Sequence, residues 1–443
     1  MTDPSLSEAA ARAYIYGYPL VYNLGEIAKL PRGDSILGVP VPWNTFGSAR
    51  RLLGPEAKFV TPNNDTLYTV APCDVSQGPL VLSVPDTAQR YYVLQFVDAW
   101  TNNFAYVGRR ATGTAAAEFV LAPAGWSGDA GGRRVIHAPT DVFVIVGRVQ
   151  VDGDADLDAV HALQDGFGLQ PLEVPAGALA GIPAPGAGVD HDLAWWEQFR
   201  VALAAFPPPA ADADVVAALE PLGLGAAASP YEAPDQALAD ALVAGQRQGA
   251  ATVEDVSRTS LKIVDGWSSA MHGFDYNLDY FELGTIDAPE WKLDDRTTAS
   301  VARAAAARAG LWGNHGYEAR YDLLWQDEHG DELSGAHRYE LTLSPPPDVG
   351  AFWSLTMYDE PDYYLVRNPI DRYSIGDRTP GLIVGADGSV VIRMQVDPPS
   401  HADGPVNWLP APPGAFRPVL RAYEPHGSAL DGTLRLPPVR RLA

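Results

Sequence analysis

The 443-residue chain carries 31 basic against 55 acidic side chains, a formal net charge of −24, and no Lys/Arg cluster interrupts that excess, so a nucleic-acid partner is excluded. The length exceeds what one hydrophobic core organises, which predicts several domains, and 39 Pro with 42 Gly predict many turns and few long helices. Cys73 is the sole cysteine, so an intrachain disulfide and a four-cysteine zinc site are ruled out and a reducing compartment is suited.

The opening stretch lacks a basic segment followed by a long apolar one, and no run approaches the apolar length of a bilayer span. A cytoplasmic protein without a membrane partner is expected. Ser7 to Ile27 reads as a first helix, capped by Ser7, with Glu8, Ala11, Ile15 and Tyr18 sharing a side; Pro19 predicts a kink or break there.

From Asn64 the pattern changes to short β-rich runs divided by Pro, Gly, Asp or Asn, among them TLYTVAPCDV, PLVLSVP, RYYVLQFVDAW and DVFVIVGRVQV. Their spacing predicts a sandwich or open barrel. Asn63, Asn64 and Asp65 precede the first run. Short polar side chains there shape a turn, or place Asp65 as a base at a strand mouth, with Asn64 to position a substrate and Tyr68 to line a pocket. Trp100 and Asn103 follow another strand, where an aromatic platform beside amides suits a polar organic ligand and a strand-ending turn is the plainer reading.

Residues 156–310 read as a mostly helical module. Inside it, AMHGFDYNLDYFE has no clear period and offers His272 as a ligand-contacting residue or as part of a packed connection. GLWGNHGYEARYD follows. His315, with a free pKa near working pH, is a candidate general acid or base, or a hydrogen-bonded structural histidine; Arg320 can hold a carboxylate or phosphate, or pair with a local acid. The histidines are too sparse for zinc, so no metal is expected. Strands return in HRYELTLS, FWSLTMYD, YYLV, GLIVGADGSVVIRMQV and FRPVLRAYEP, with GADGS as a hairpin turn. The chain thus divides into 1–155, 156–310 and 311–443, a mainly β protein with a helical middle.

Two strings carry a family resemblance. YIYGYPLVYN followed by TPNNDTLYTVAPCDV resembles the N-terminal family of unknown function DUF1254. AFWSLTMYDEPDYYLVRNPIDRYSIGDRTPGL and VNWLPAPPGAFRPVLRAYEP resemble its C-terminal partner, DUF1214. The resemblance implies an immunoglobulin-like β domain, a helical segment and a jelly-roll-like β domain, and brings no established reaction.

No phosphate-binding loop, dinucleotide fingerprint or serine nucleophile elbow occurs. The expected function is a metal-independent, cofactor-free hydrolase or lyase for a small polar organic or carbohydrate-like substrate, with Asp65 and His315 as the proton-transfer pair. The alternative is a non-catalytic carbohydrate-binding or scaffolding protein. A homo-oligomer is compatible with either.

Overall fold

The computed structural model describes residues 4–400 and 405–442. It has mixed sheet and helix architecture, with β-sheet regions towards both ends of the chain and helices between and before them.

The N-terminal region contains a five-stranded antiparallel sheet in the order Gly47–Ser48, Thr66–Asp74, Val142–Gln150, Tyr92–Asp98, Asn103–Gly108. A four-stranded sheet runs Arg134–Ala138, Ala117–Pro123, Leu80–Val84, Gly168–Pro171. Period-two alternation sorts the strand residues. Leu67, Ala71, Phe143 and Ile145 turn towards a core shared with Leu80, Leu82 and Phe119 of the second sheet. The alternate residues, among them Tyr68, Val70, Val146 and Arg148, occupy the opposite face.

The C-terminal region repeats this logic. A six-stranded antiparallel sheet runs Ile263–Val264, Trp267–Ser269, Ala319–Leu324, Phe416–Pro425, Val349–Asp359, Ser374–Gly376. A four-stranded sheet runs Asn407–Pro410, Val390–Gln395, Arg338–Leu343, Arg440–Leu442. Leu355, Met357 and Leu420 share a core with Leu341, Ile392 and Met394. Phe352, Arg421 and Tyr423 lie on the other face. Strand pairing reaches across the predicted boundaries: Gly168–Pro171 pairs with Leu80–Val84, and Trp267–Ser269 pairs with Ala319–Leu324.

The two larger sheets meet through those remaining faces. Val93 and Tyr106 of one pack with Ala319, Phe352 and Tyr423 of the other, around the buried Tyr91. Phe352 packs against Tyr423 in a tilted pair with ring centroids 4.4 Å apart, meets Tyr91 edge-on at 5.6 Å and carries the Arg378 guanidinium 3.5 Å from its ring centroid.

Helices close the rest of the gap. The first helix runs unbroken from Pro4 to Arg32 with Pro19 inside it, so the predicted break does not occur. The one intrahelical bond that proline removes is outweighed by burial of Leu20, Leu24, Ile27 and Leu30 against Trp196, Phe199 and neighbouring residues. Gln236–Thr259 lies along this helix. A Cβ at Gly245 would stand 2.4 Å from that of Ala10, so the close approach requires glycine there. Arg296–Gly310 completes the helical wall.

Two C-terminal expectations are corrected. The GADGS turn forms, with Gly385 N–H donating to Ser389 at 2.8 Å, but only its second arm is a strand. The first arm is exposed at Ile383 and Val384 and gains no burial from pairing. YYLV makes only an isolated bridge, Tyr358 with Leu365.

Phe352→Ala is expected to cost about 3–5 kcal/mol of stability, the range for emptying a buried aromatic site, measured by urea denaturation. A loss below about 1 kcal/mol would show that this contact does not hold the sheets together.

Candidate functional site

Between the two large sheets lies a cavity of about 1120 Å³, and its exposed lining residues, among them Lys262, Val264, Asp265 and Arg435, mark its mouth. Tyr68, Val70, Val146 and Arg148 of the five-stranded sheet line it, with Tyr321, Val419, Arg421 and Tyr423 of the six-stranded sheet on the other side. Strand register explains the placing. Tyr68 and Arg148 are direct neighbours on paired strands, as are Tyr321 and Arg421. Ala302, Ala305, Ala306 and Ala309 present small side chains from the Arg296–Gly310 helix, and this leaves the space open.

Arg148 is 6% exposed and Arg421 is 3% exposed. Arg148 donates to Gln95 Oε1 at 2.8 Å and to the Trp312 carbonyl at 2.7 Å. Arg421 donates to Thr356 Oγ1 at 3.1 Å and to the Thr61 carbonyl at 2.9 Å. All four acceptors are neutral, and among the described residues neither arginine has an ion-pair partner. Trp312 and Thr61, which supply the two carbonyls, have positive φ values of 64° and 44°. Such backbone strain survives only where its surroundings enforce it, and it gathers at functional sites.

Asp65 lies one bond behind the cavity wall. Its Oδ2 accepts from Ser354 Oγ at 2.8 Å and from the Tyr423 hydroxyl at 3.2 Å. Residues far apart in the chain therefore converge here. Burial, with the Asp65 carboxylate adding to it, pushes the Tyr423 phenol well above its ordinary pKa. Asn63 also lines the cavity. Its Oδ1 accepts from Asp65 N–H, Thr66 N–H and Thr66 Oγ1, which fixes the amide orientation; its buried Nδ2 has no partner. The Asn63 N–H donates to the Tyr68 hydroxyl at 3.2 Å.

The sequence-predicted residues scatter by comparison. Tyr68 and Arg320 line the cavity, and His272 lies at its mouth. Arg320 is held bidentately by Asp322 at 2.7 and 2.9 Å. His272 pairs with Asp275 at 2.7 Å, a bond that raises its pKa. Asn64 donates to Leu53 O and accepts from Ser374. Trp100 donates to Phe206 O at 2.8 Å and packs on Tyr16. Asn103 joins Gln95 to the Gly313 carbonyl.

His315 is not among the cavity-lining residues and is not hydrogen-bonded to Asp65. Its Nδ1 lies 2.9 Å from the Tyr317 hydroxyl and 3.2 Å from that of Tyr106, and burial lowers its pKa to about 3. Arg148, Arg421 and Tyr423 were not anticipated. Their only signal in the sequence is a cationic or phenolic residue inside a β-rich run.

Among the described residues no group of three or more His, Cys, Asp or Glu side chains is placed to hold a metal, and no helix is long and apolar enough to cross a membrane.

A mixed protein of facing sheets and helices around an inter-sheet cavity is the class these features define. Residues 43–171 match the family described as protein of unknown function (DUF1254), and residues 318–427 match protein of unknown function (DUF1214). The chain belongs to this two-domain family. No curated protein matches it. The crystal structure of the VPA0106 protein from Vibrio parahaemolyticus is similar, with 23% identity, a TM-score of 0.68 and 99% of each chain covered; that likeness speaks to the fold. An uncharacterized protein from Burkholderia cenocepacia aligns at 13% identity and a TM-score of 0.48, over 98% of this chain and 88% of its own.

Glu318 is a buried carboxyl at the sheet–sheet contact. Tyr91 donates to it at 2.9 Å, and burial raises its pKa from 4.5 to about 7. The folded chain therefore holds this proton more tightly than the unfolded chain. No cost exists below the unfolded value; it grows as pH rises from 4.5 towards 7 and is complete above. Glu318→Gln should gain up to about 3 kcal/mol relative to the parent between pH 5 and pH 8, read from urea denaturation at both values. An equal effect at the two pH values would contradict the assignment.

Proposed function

We propose that this protein is an enzyme of the hydrolase or lyase type that takes a small organic molecule into the inter-sheet cavity and removes a proton from it through Tyr423 and Asp65. The observation that carries this reading is the hydrogen bond from the cavity-lining Tyr423 hydroxyl to the buried Asp65 carboxylate. The phenol's raised pKa makes a free phenolate costly. A relay avoids that cost: Tyr423 takes a proton from the substrate, or from a water attacking it, as its own passes to Asp65 Oδ2. Arg148 and Arg421 would stabilise the negative charge left on the substrate, and because both side chains are buried their effect is large.

The alanine-rich wall supports an organic substrate with an apolar body over a carbohydrate, whose hydroxyls would find few partners there. The same reading takes each pair of sheets as a closed sandwich, immunoglobulin-like towards the N-terminus and jelly-roll-like towards the C-terminus. One apolar core shared by each pair supports that. A cytoplasmic setting is part of the proposal and rests on the lone, buried Cys73.

The test is turnover of ester and β-elimination substrate panels by the parent, Tyr423→Phe and Asp65→Asn. Both variants should lose about 10²–10⁴-fold in kcat, while KM moves little. Parent-like turnover in both would overturn the relay, and ligand binding by the parent without any turnover would make the protein a binder.

A further inference from the structure

We propose that the ligand of this cavity is an organic monoanion, a carboxylate attached to an apolar body, with the carboxylate held between Arg148 and Arg421. This rests on the cavity being the ligand site, as argued above.

Charge balance comes first. An arginine stays protonated in a protein interior, and burying its charge without a counter-charge costs several kcal/mol. Evolved interiors normally place a carboxylate beside such a group. This chain does so elsewhere: Arg320 has Asp322, and Arg200 has Glu197 at 2.7 Å. Arg148 and Arg421 instead have only neutral partners: the acceptors Gln95, Trp312, Thr356 and Thr61, and the rings of Tyr68 for Arg148 and of Tyr321 and Tyr358 for Arg421. Arg148 and Arg421 line the same cavity from facing sheets, and both lie within electrostatic reach of the phenols Tyr321 and Tyr423. Asp65 acts on Arg421 from behind the wall, and Glu318 lies within electrostatic reach of Arg148. These acids offset part of the positive charge, which favours a singly charged carboxylate over a doubly charged phosphate monoester.

Hydrogen-bond polarity agrees. Tyr68 and Tyr321 receive backbone N–H bonds from Asn63 and Asn314, so their hydroxyl protons are free to be donated. Asn63 Nδ2 has no acceptor. With the guanidinium donors, these groups give this end of the cavity an excess of donors, and a ligand must bring acceptors to satisfy them. Planar guanidiniums match the planar, two-oxygen geometry of a carboxylate. Beyond the arginines, Val70, Val146, Val419 and the alanine face are apolar, which requires that the rest of the ligand be apolar too. The mouth carries Lys262 and Arg435 against Asp265, so an anion can enter although the whole chain has a net charge of −24.

The experiment is isothermal titration of the full chain with 4-phenylbutanoate, 4-phenylbutanamide and 4-phenylbutyl phosphate. The carboxylate should bind at least about tenfold tighter than either of the others. Arg421→Gln and Arg148→Gln should each remove that advantage while leaving amide affinity within about threefold of the parent. Val146→Phe, which fills the apolar end, should weaken carboxylate and amide together. If the arginine variants do not fold, the parent series and Val146→Phe still decide the matter. Equal binding of carboxylate and amide, both lost in Val146→Phe, would overturn the anion proposal and leave the cavity standing. Tighter binding of the phosphate would overturn the monoanion assignment. Carboxylate binding untouched by Val146→Phe, or no binding of any probe, would overturn both readings.

Discussion

The outer faces of the five-stranded and six-stranded sheets meet through Tyr91, Phe352 and Tyr423, and the rest of the site depends on that contact. Sheets that pack face to face normally exclude water along their whole overlap. Here the aromatic contact occupies one part of the overlap, and the helix Arg296–Gly310 offers only small side chains along another. The result is a cavity rather than a continuous core. Because each sheet already has a core on its inner face, the outer faces are free to carry polar groups.

Burial gives those polar groups their character. In water Tyr423 would be an ordinary phenol. Enclosed beside Asp65, its proton has one defined acceptor, and its pKa is driven upward. Enclosure acts in the opposite direction on His315, where the loss of solvent lowers the pKa to about 3 and leaves a neutral ring stacked on Tyr317. That ring helps fasten the Gly313–Tyr317 corner to the five-stranded sheet through Tyr106. Trp312, immediately before that corner, supplies its carbonyl to Arg148. His315 thus supports the site's geometry from outside the cavity. Asn23 works similarly from the N-terminal helix, accepting from Trp312 Nε1 and donating to the carbonyls of Asp98 and Ala99.

Much of the strand content was legible because alternation and turn residues are local signals. TLYTVAPCDV, RYYVLQFVDAW and FRPVLRAYEP each fall on an observed strand. Strand order was not legible. Thr66–Asp74 pairs with Val142–Gln150, a contact set by tertiary packing that no local pattern encodes. The site shows the same division. The Asn63–Asp65 turn and Tyr68 stood out because polar residues before a strand are conspicuous, although Asn63 and not Asn64 reaches the cavity. Arg148 and Arg421 were passed over because each sits in a strand that reads as core, and only the facing sheet turns that position into a wall. Trp100 and Asn103 looked like ligand contacts, yet their polar atoms are spent on Phe206 and Gly313 carbonyls from neighbouring segments. An exposed strand end and a buried joint have the same sequence.

Anomalous diffraction from a crystal soaked with 4-(4-bromophenyl)butanoate tests most directly whether the two halves of the chain close one ligand site. The account predicts a bromine peak on the apolar side of the cavity near Val146 and Val419, with carboxylate density between Arg148 and Arg421. Bromine at the surface, or at a site built from only one half of the chain, would contradict it.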